Sequence, residues 1–249
     1  MHKPHHPIRT VVNLRGAPAY KIAGPITQRI KQLAPLPNRH NVDNTLDVIK
    51  KLNDTPIFPH FTLVSLDITN LYINFRVTET RDFISNTLKR NLLDTQTQQE
   101  LWNWYDVITQ QNYFTANSEI LIQRKVLAMV PLTSGPISEF FLQNLEHLHL
   151  TQPSNKHRIN NYHRYVDDIL LILDSNQTDI QNILDYFNAI HPNLKFTAET
   201  ETNNSINYLD VTIRKTPQNW KFSIYRNPHS LTPSSHIPQT IQPYINMLQ

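Results

Sequence analysis

Most of the 20 carboxylates in this 249-residue chain sit in polar surroundings, but three do not. Asp67 closes the run Leu63-Val64-Ser65-Leu66-Asp67-Ile68. Asp167 and Asp168 fall at the tip of an otherwise apolar hairpin pattern, Arg164-Tyr165-Val166-Asp167-Asp168-Ile169-Leu170. A carboxylate at the end of a buried strand is costly without a counter-charge, and a divalent cation supplies one. If the strand and the hairpin share a sheet, the three carboxylates converge. They can then hold two Mg²⁺ (or Mn²⁺) ions about 3.5–4 Å apart, the arrangement that stabilises attacking and leaving oxygens in phosphoryl transfer. An Asp-Asp pair alone is more often an ordinary turn. Its combination with Asp67 and the helices between them favours a metal site.

The elements that must position these acids follow from apolar spacing. Val42, Leu46, Ile49 and Leu52 recur at helical intervals and predict a helix over Asn41–Leu52, stopped by Asp54-Thr55-Pro56 before a strand over Phe61–Ile68. Helices over Thr78–Leu93 and Thr97–Gln111 follow, the second opened by a Thr97/Glu100 capping box. Short β-prone runs at Asn112–Thr115 and Glu119–Arg124 predict a hairpin, and a helix follows over Ile137–Leu150. Strands at Tyr162–Val166 and Ile169–Leu173 flank an Asp167-Asp168 turn. A helix over Thr178–Ile190 precedes strands at Leu194–Glu199, Ile206–Ile213 and Trp220–Tyr225. Residues 1–40 read as irregular, with short extended pieces near Thr10–Leu14 and a helix around Thr27–Leu33; the tail after Pro228 reads as disordered.

Composition narrows the chemistry. Three glycines, Gly16, Gly24 and Gly135, cannot spell a G-x-G-x-x-G turn or a Walker loop, so Gly-rich phosphate cradles are excluded. The absence of cysteine removes disulfides, thiolate metal sites and cysteine nucleophiles. No stretch approaches the ~20 apolar residues of a membrane span and no secretory leader is evident, so an intracellular, non-secreted protein without a membrane or disulfide partner is expected. The net charge of +3 is uneven: residues 1–51 hold nine Lys/Arg against two acids. Such an arm suits an anionic polymer, or is simply solvated.

These residues carry a resemblance to the reverse transcriptases of Penelope-like retroelements. The matching stretches are Pro7-Ile8-Arg9-Thr10-Val11-Val12 with Arg15-Gly16-Ala17-Pro18, Leu63 to Tyr72, Leu127-Ala128-Met129, Glu139 to Glu146, Tyr165-Val166-Asp167-Asp168, His191 to Phe196, and Asn207-Tyr208-Leu209-Asp210. Together they run from about residue 7 to 227, in matching order and spacing. The resemblance implies an α+β polymerase palm, a split βαβ antiparallel sheet packed on helices. Its boundaries would be a basic partial-fingers segment at 1–56, a palm at 57–227 and a tail at 228–249. It implies RNA-templated DNA synthesis, with an RNA template, a DNA primer and deoxynucleoside triphosphates as partners. Asp67 and Asp167 would be metal ligands with Asp168 beside them. Tyr72, five residues beyond Asp67, would crowd a 2′-hydroxyl, a role that only the motif match favours, since alone it reads as an ordinary core aromatic. Arg9 would approach the nucleotide or template, or be one more basic residue of the arm. Lys195 would donate a proton to departing pyrophosphate, or be structural. Asp210 would orient a hairpin that holds the primer end.

The chain departs from that family over Val126-Leu127-Ala128-Met129-Val130-Pro131-Leu132-Thr133-Ser134-Gly135. Relatives carry Gly at the positions of Val126 and Val130, where backbone approaches the substrate closely. Two β-branched side chains there are expected to impair catalysis. The thumb, most of the fingers and the GIY-YIG nuclease frequent in such elements have no counterpart in this sequence. His229–His236 reads like the family's continuation in a shifted frame. The alternative function is a non-catalytic nucleic-acid-binding remnant of a decayed mobile element.

Overall fold

The computed structural model describes residues 18–69, 71–74, 77–91, 93–110, 113–116, 119–122, 134–150 and 159–225. They fall into two units, one drawn from 39–69 and 159–225 and the other from 18–38 and 71–150. Among the described residues no helix is long and apolar enough to cross a membrane.

The first unit is built on a four-stranded antiparallel sheet. Its strands are β1 (Phe61–Ile68), β4 (Ile159–Tyr165), β5 (Asp168–Asp174) and β6 (Phe196–Thr200), in the order β4-β5-β1-β6. The β5 sequence, Asp-Ile-Leu-Leu-Ile-Leu-Asp, buries five successive residues, which suits an interior strand covered on both faces. A second sheet is a meander of β7 (Ser205–Tyr208), β8 (Val211–Lys215) and β9 (Trp220–Ile224). Ile206, Tyr208, Val211, Ile213, Trp220 and Phe222 of this sheet share one core with Leu63, Leu170 and Ile172 of the first sheet. Val48, Ile49 and Leu52 of helix α2 (Thr45–Asn53) complete it. The Trp220 indole N–H donates to the Thr55 carbonyl at 3.0 Å, anchoring β9 to the end of α2. Helix α7 (Ile180–Ile190) buries Ile183 and Phe187, and the Phe187 ring lies 5.3 Å from that of Phe196.

The second unit holds helices α1 (Pro18–Leu33), α3 (Leu71–Asn74), α4 (Val77–Arg90), α5 (Thr95–Gln110) and α6 (Ser134–His149), with a hairpin of β2 (Tyr113–Ala116) and β3 (Glu119–Ile122). Helix α1 packs on α5, and α4 packs on both α5 and α6. Arg81 Nη1 donates to both carboxylate oxygens of Asp106, at 3.0 and 3.1 Å, while the guanidinium lies 5.2 Å from the centre of the Trp102 ring. Buried Gln143 is satisfied by Asn38 and Glu139.

Four sequence expectations are corrected. The helix expected around Thr27–Leu33 begins earlier, at Pro18, so residues 18–26 are helical rather than irregular despite Pro25, because Ala23, Ile26 and Ile30 make a buried stripe. The run Ile206–Ile213 is two strands, broken at Leu209-Asp210 where Leu209 has φ 52°. The start of α5 is capped by the Asp94 carboxylate, which accepts from the Thr97 amide at 2.8 Å and the Thr97 hydroxyl at 2.6 Å, rather than by a Thr97/Glu100 box. The hairpin turn after β4 is Val166-Asp167, since Asp168 already pairs with Tyr165 as the first residue of β5. The extended pieces near Thr10–Leu14 and the tail after Pro228 lie outside the described residues.

Candidate active site

The acids meet at one end of the first sheet because β1 runs out where the β4–β5 hairpin turns. Antiparallel register sets Asp67 directly opposite Asp168, and the Ile68 amide donates to the Asp167 carbonyl at 3.0 Å. Residues directly opposite across such a ladder share a face. That face is the one on which Leu63, Leu170 and Ile172 build the core, and the acids occupy it beyond the last apolar layer. Asp67 is exposed and Asp167 and Asp168 are half-buried.

The electrostatics follow from this crowding. Burial, and then the negative charges of Asp167 and Asp67, raise the Asp168 carboxyl from its ordinary value to about 6. Among the described residues no group of three His, Cys, Asp or Glu side chains forms a ready-made cation cage. The donor set nonetheless fits Mg²⁺ or Mn²⁺ in kind: hard anionic oxygens whose mutual repulsion a small divalent cation would relieve.

The turn that carries Asp167 is strained. Val166 has φ 55°, a region that β-branched residues rarely adopt, at a cost on the order of 1–3 kcal/mol. Its three successive carbonyls are each held. Arg164 Nη1 donates to Val166 O at 3.0 Å, the Ile68 amide to Asp167 O, and the Tyr208 hydroxyl to Asp168 O at 3.0 Å. Arg164 is 1% exposed, and its Nη2 donates to Asn41 Oδ1 at 2.9 Å. Residues 40–42 run along the edge of β4, where the Arg164 amide donates to His40 O and the Val42 amide to Arg164 O, each at 2.9 Å. Arg164, Tyr208 and Asn41 escaped the sequence reading as site residues. The available signal was a charged Arg in β4 placed two residues ahead of the Val166-Asp167 turn and the apolar run of β5.

The other expected residues are less drawn together. Lys195 is exposed just ahead of β6, and its carbonyl accepts from the Thr69 amide at 2.8 Å, which ties it to the acid-bearing end of β1. Tyr72 lies in α3 of the second unit and is half-buried. Asp210 sits in the β7–β8 turn, where its carbonyl accepts from the Tyr225 amide at 2.9 Å. Arg9 and residues 126–133 lie outside the described residues; Ser134 and Gly135 begin α6.

No protein-family model matches the chain, and none of the curated proteins compared with it matches. Solved structures do. Apo telomerase from Candida tropicalis superposes with a TM-score of 0.59 at 11% identity, covering 82% of this chain and 40% of that one. Telomerase from Candida albicans, in complex with a fragment of telomeric RNA, gives 0.56 at 14% identity, covering 82% of this chain and 38% of that one. The RNA-dependent RNA polymerase of a human picorbirnavirus gives 0.50 at 14% identity, covering 81% and 37% respectively. The chain therefore has a mixed α/β fold with antiparallel sheets like that of telomerase and RNA-dependent RNA polymerase. It spans about two fifths of the length of those proteins.

Proposed function

We propose that this chain is a nucleic-acid polymerase domain of reverse-transcriptase type, which extends a DNA primer on an RNA template. The observation that carries the reading is the register that sets Asp67 opposite Asp168, beside Asp167, at one end of the sheet. In this reading the sheet is a polymerase palm, and Asp67 and Asp167, with Asp168 beside them, hold the divalent cations. When bound, those cations stabilise the charge that develops on the transferring phosphoryl group and its attacking and leaving oxygens. The protein's own part is positioning: β1 and the hairpin present the carboxylates from a rigid sheet. Tyr72 screens the sugar of the incoming nucleotide, Arg9 approaches the nucleotide or template, and exposed Lys195 offers a proton to departing pyrophosphate. The finer affinity, to Penelope-like retroelements, rests on the sequence motifs.

Primer extension on an RNA template with Mg²⁺ or Mn²⁺ tests this. We expect extension that falls below about one-hundredth of its rate in Asp67→Asn and Asp167→Asn. Val126 and Val130, where the resembling family has Gly, favour a second reading, a nucleic-acid-binding remnant that has lost chemistry. Restoring Val126→Gly and Val130→Gly distinguishes the two. Extension that appears only in the double variant supports an impaired enzyme. No extension, with salt-dependent RNA binding that weakens when residues 1–51 are removed, supports the remnant.

A further inference from the structure

We infer that Arg164 and Tyr208 are positioning residues, which set the Val166-Asp167 turn in the geometry that presents Asp67, Asp167 and Asp168 to a divalent cation. This deepens the polymerase reading and rests on it. The hairpin cannot take this turn by local preference, because a β-branched residue at φ 55° is unfavourable without outside support. The support comes from three places. The Arg164 guanidinium reaches forward to the Val166 carbonyl, β1 supplies the Ile68 amide to Asp167, and β7 supplies the Tyr208 hydroxyl to Asp168. The same guanidinium bonds Asn41, so the turn is braced against the segment that borders β4. Each bond ends on a backbone carbonyl, so these bonds fix the backbone of the turn without engaging its carboxylate oxygens. Partners that orient ligands in metal sites contribute to metal affinity, and their loss typically lowers it roughly 10- to 100-fold.

The test uses the full chain, unaltered and as Tyr208→Phe, Arg164→Lys and Asp67→Asn. Tyr208→Phe keeps the buried ring and removes only the hydroxyl; Arg164→Lys keeps the charge and removes the fork. Mn²⁺ binding is titrated by electron paramagnetic resonance, amide hydrogen exchange is followed at residues 166–168, and melting temperature is recorded. We expect Tyr208→Phe, and Arg164→Lys where it folds, to bind Mn²⁺ roughly tenfold more weakly. Faster exchange at 166–168 and a melting temperature close to that of the unaltered chain should accompany this. Tyr208→Phe binding Mn²⁺ as tightly as the unaltered chain overturns the inference alone. An unaltered chain that binds no Mn²⁺, or binds it equally well as Asp67→Asn, overturns the polymerase reading and the inference with it.

Discussion

Val166 and His163 carry the sharpest single-residue consequences. Replacing Val166 by Gly removes the Cβ that makes φ 55° unfavourable, and the buried bonds to the turn remain. Val166→Gly should therefore stabilise the chain by about 1 kcal/mol in urea denaturation. His163 is buried, and its Nε2 has no hydrogen-bond partner. Burial, with Lys51 and His40 adding to it and Asp47 opposing, lowers its pKa to about 4. The unfolded chain therefore takes up this proton first as pH falls. Stability that is full above about pH 6.5 is lost between there and pH 4, by about 3 kcal/mol. Asp168, raised to about 6, slopes the opposite way over part of this range, so the comparison belongs in an Asp168→Asn background. There, His163→Leu should abolish the loss, read from urea midpoints at pH 7.5 and 4.5.

Helix ends and strand breaks were decided by side chains that local pattern only half reveals. Asn44 caps α2 by accepting from the Asp47 amide at 3.1 Å, and the Asp47 carboxylate accepts in return from the Asp43 amide at 3.2 Å. Asp179 caps α7 through the Asn182 amide at 2.8 Å. Asp179→Ala should cost about 1 kcal/mol in equilibrium denaturation, without changing the slope on denaturant. Strand β1 was legible to the residue because its apolar run is long and bounded by Pro59 and the half-buried turn at Thr69. Helix α1 was legible only in its second half, because Pro25 and the basic surroundings outweigh its short buried stripe until α5 covers it. The break at Leu209 was hidden as well. An apolar residue at φ 52° leaves no Gly or Asn to mark the turn.

The two sheets of the first unit are joined by a buried ion pair as well as by their core. Lys215 Nζ donates to Glu201 Oε1 at 2.9 Å and to the Phe61 carbonyl, and Glu201 Oε2 accepts from the Leu63 amide at 3.0 Å. Both side chains are about nine-tenths buried. Glu201→Ala would leave the lysine with only the Phe61 carbonyl and no counter-charge, and the Leu63 amide without its acceptor, and should cost about 3 kcal/mol, read as a drop in denaturation midpoint. Lys215 and Glu201 lie at opposite ends of a hairpin-rich stretch, so neither identified the other in advance.

Burial is written locally. The run of five apolar residues in β5 and the apolar stretch ending in Asp67 mark strands that lead carboxylates out of a core, whatever lies beside them. Pairing is not written that way. That Asp67 faces Asp168, that Ile68 and Tyr208 hold the Asp167 and Asp168 carbonyls, and that Asn41 holds the Arg164 guanidinium depend on groups separated by tens of residues to more than a hundred. Such contacts form only when strands assemble, because a hydrogen bond to a buried carbonyl requires the rest of the core to bring its donor there. The acids were therefore visible as residues, and the sheet that makes them a site was visible only once folded.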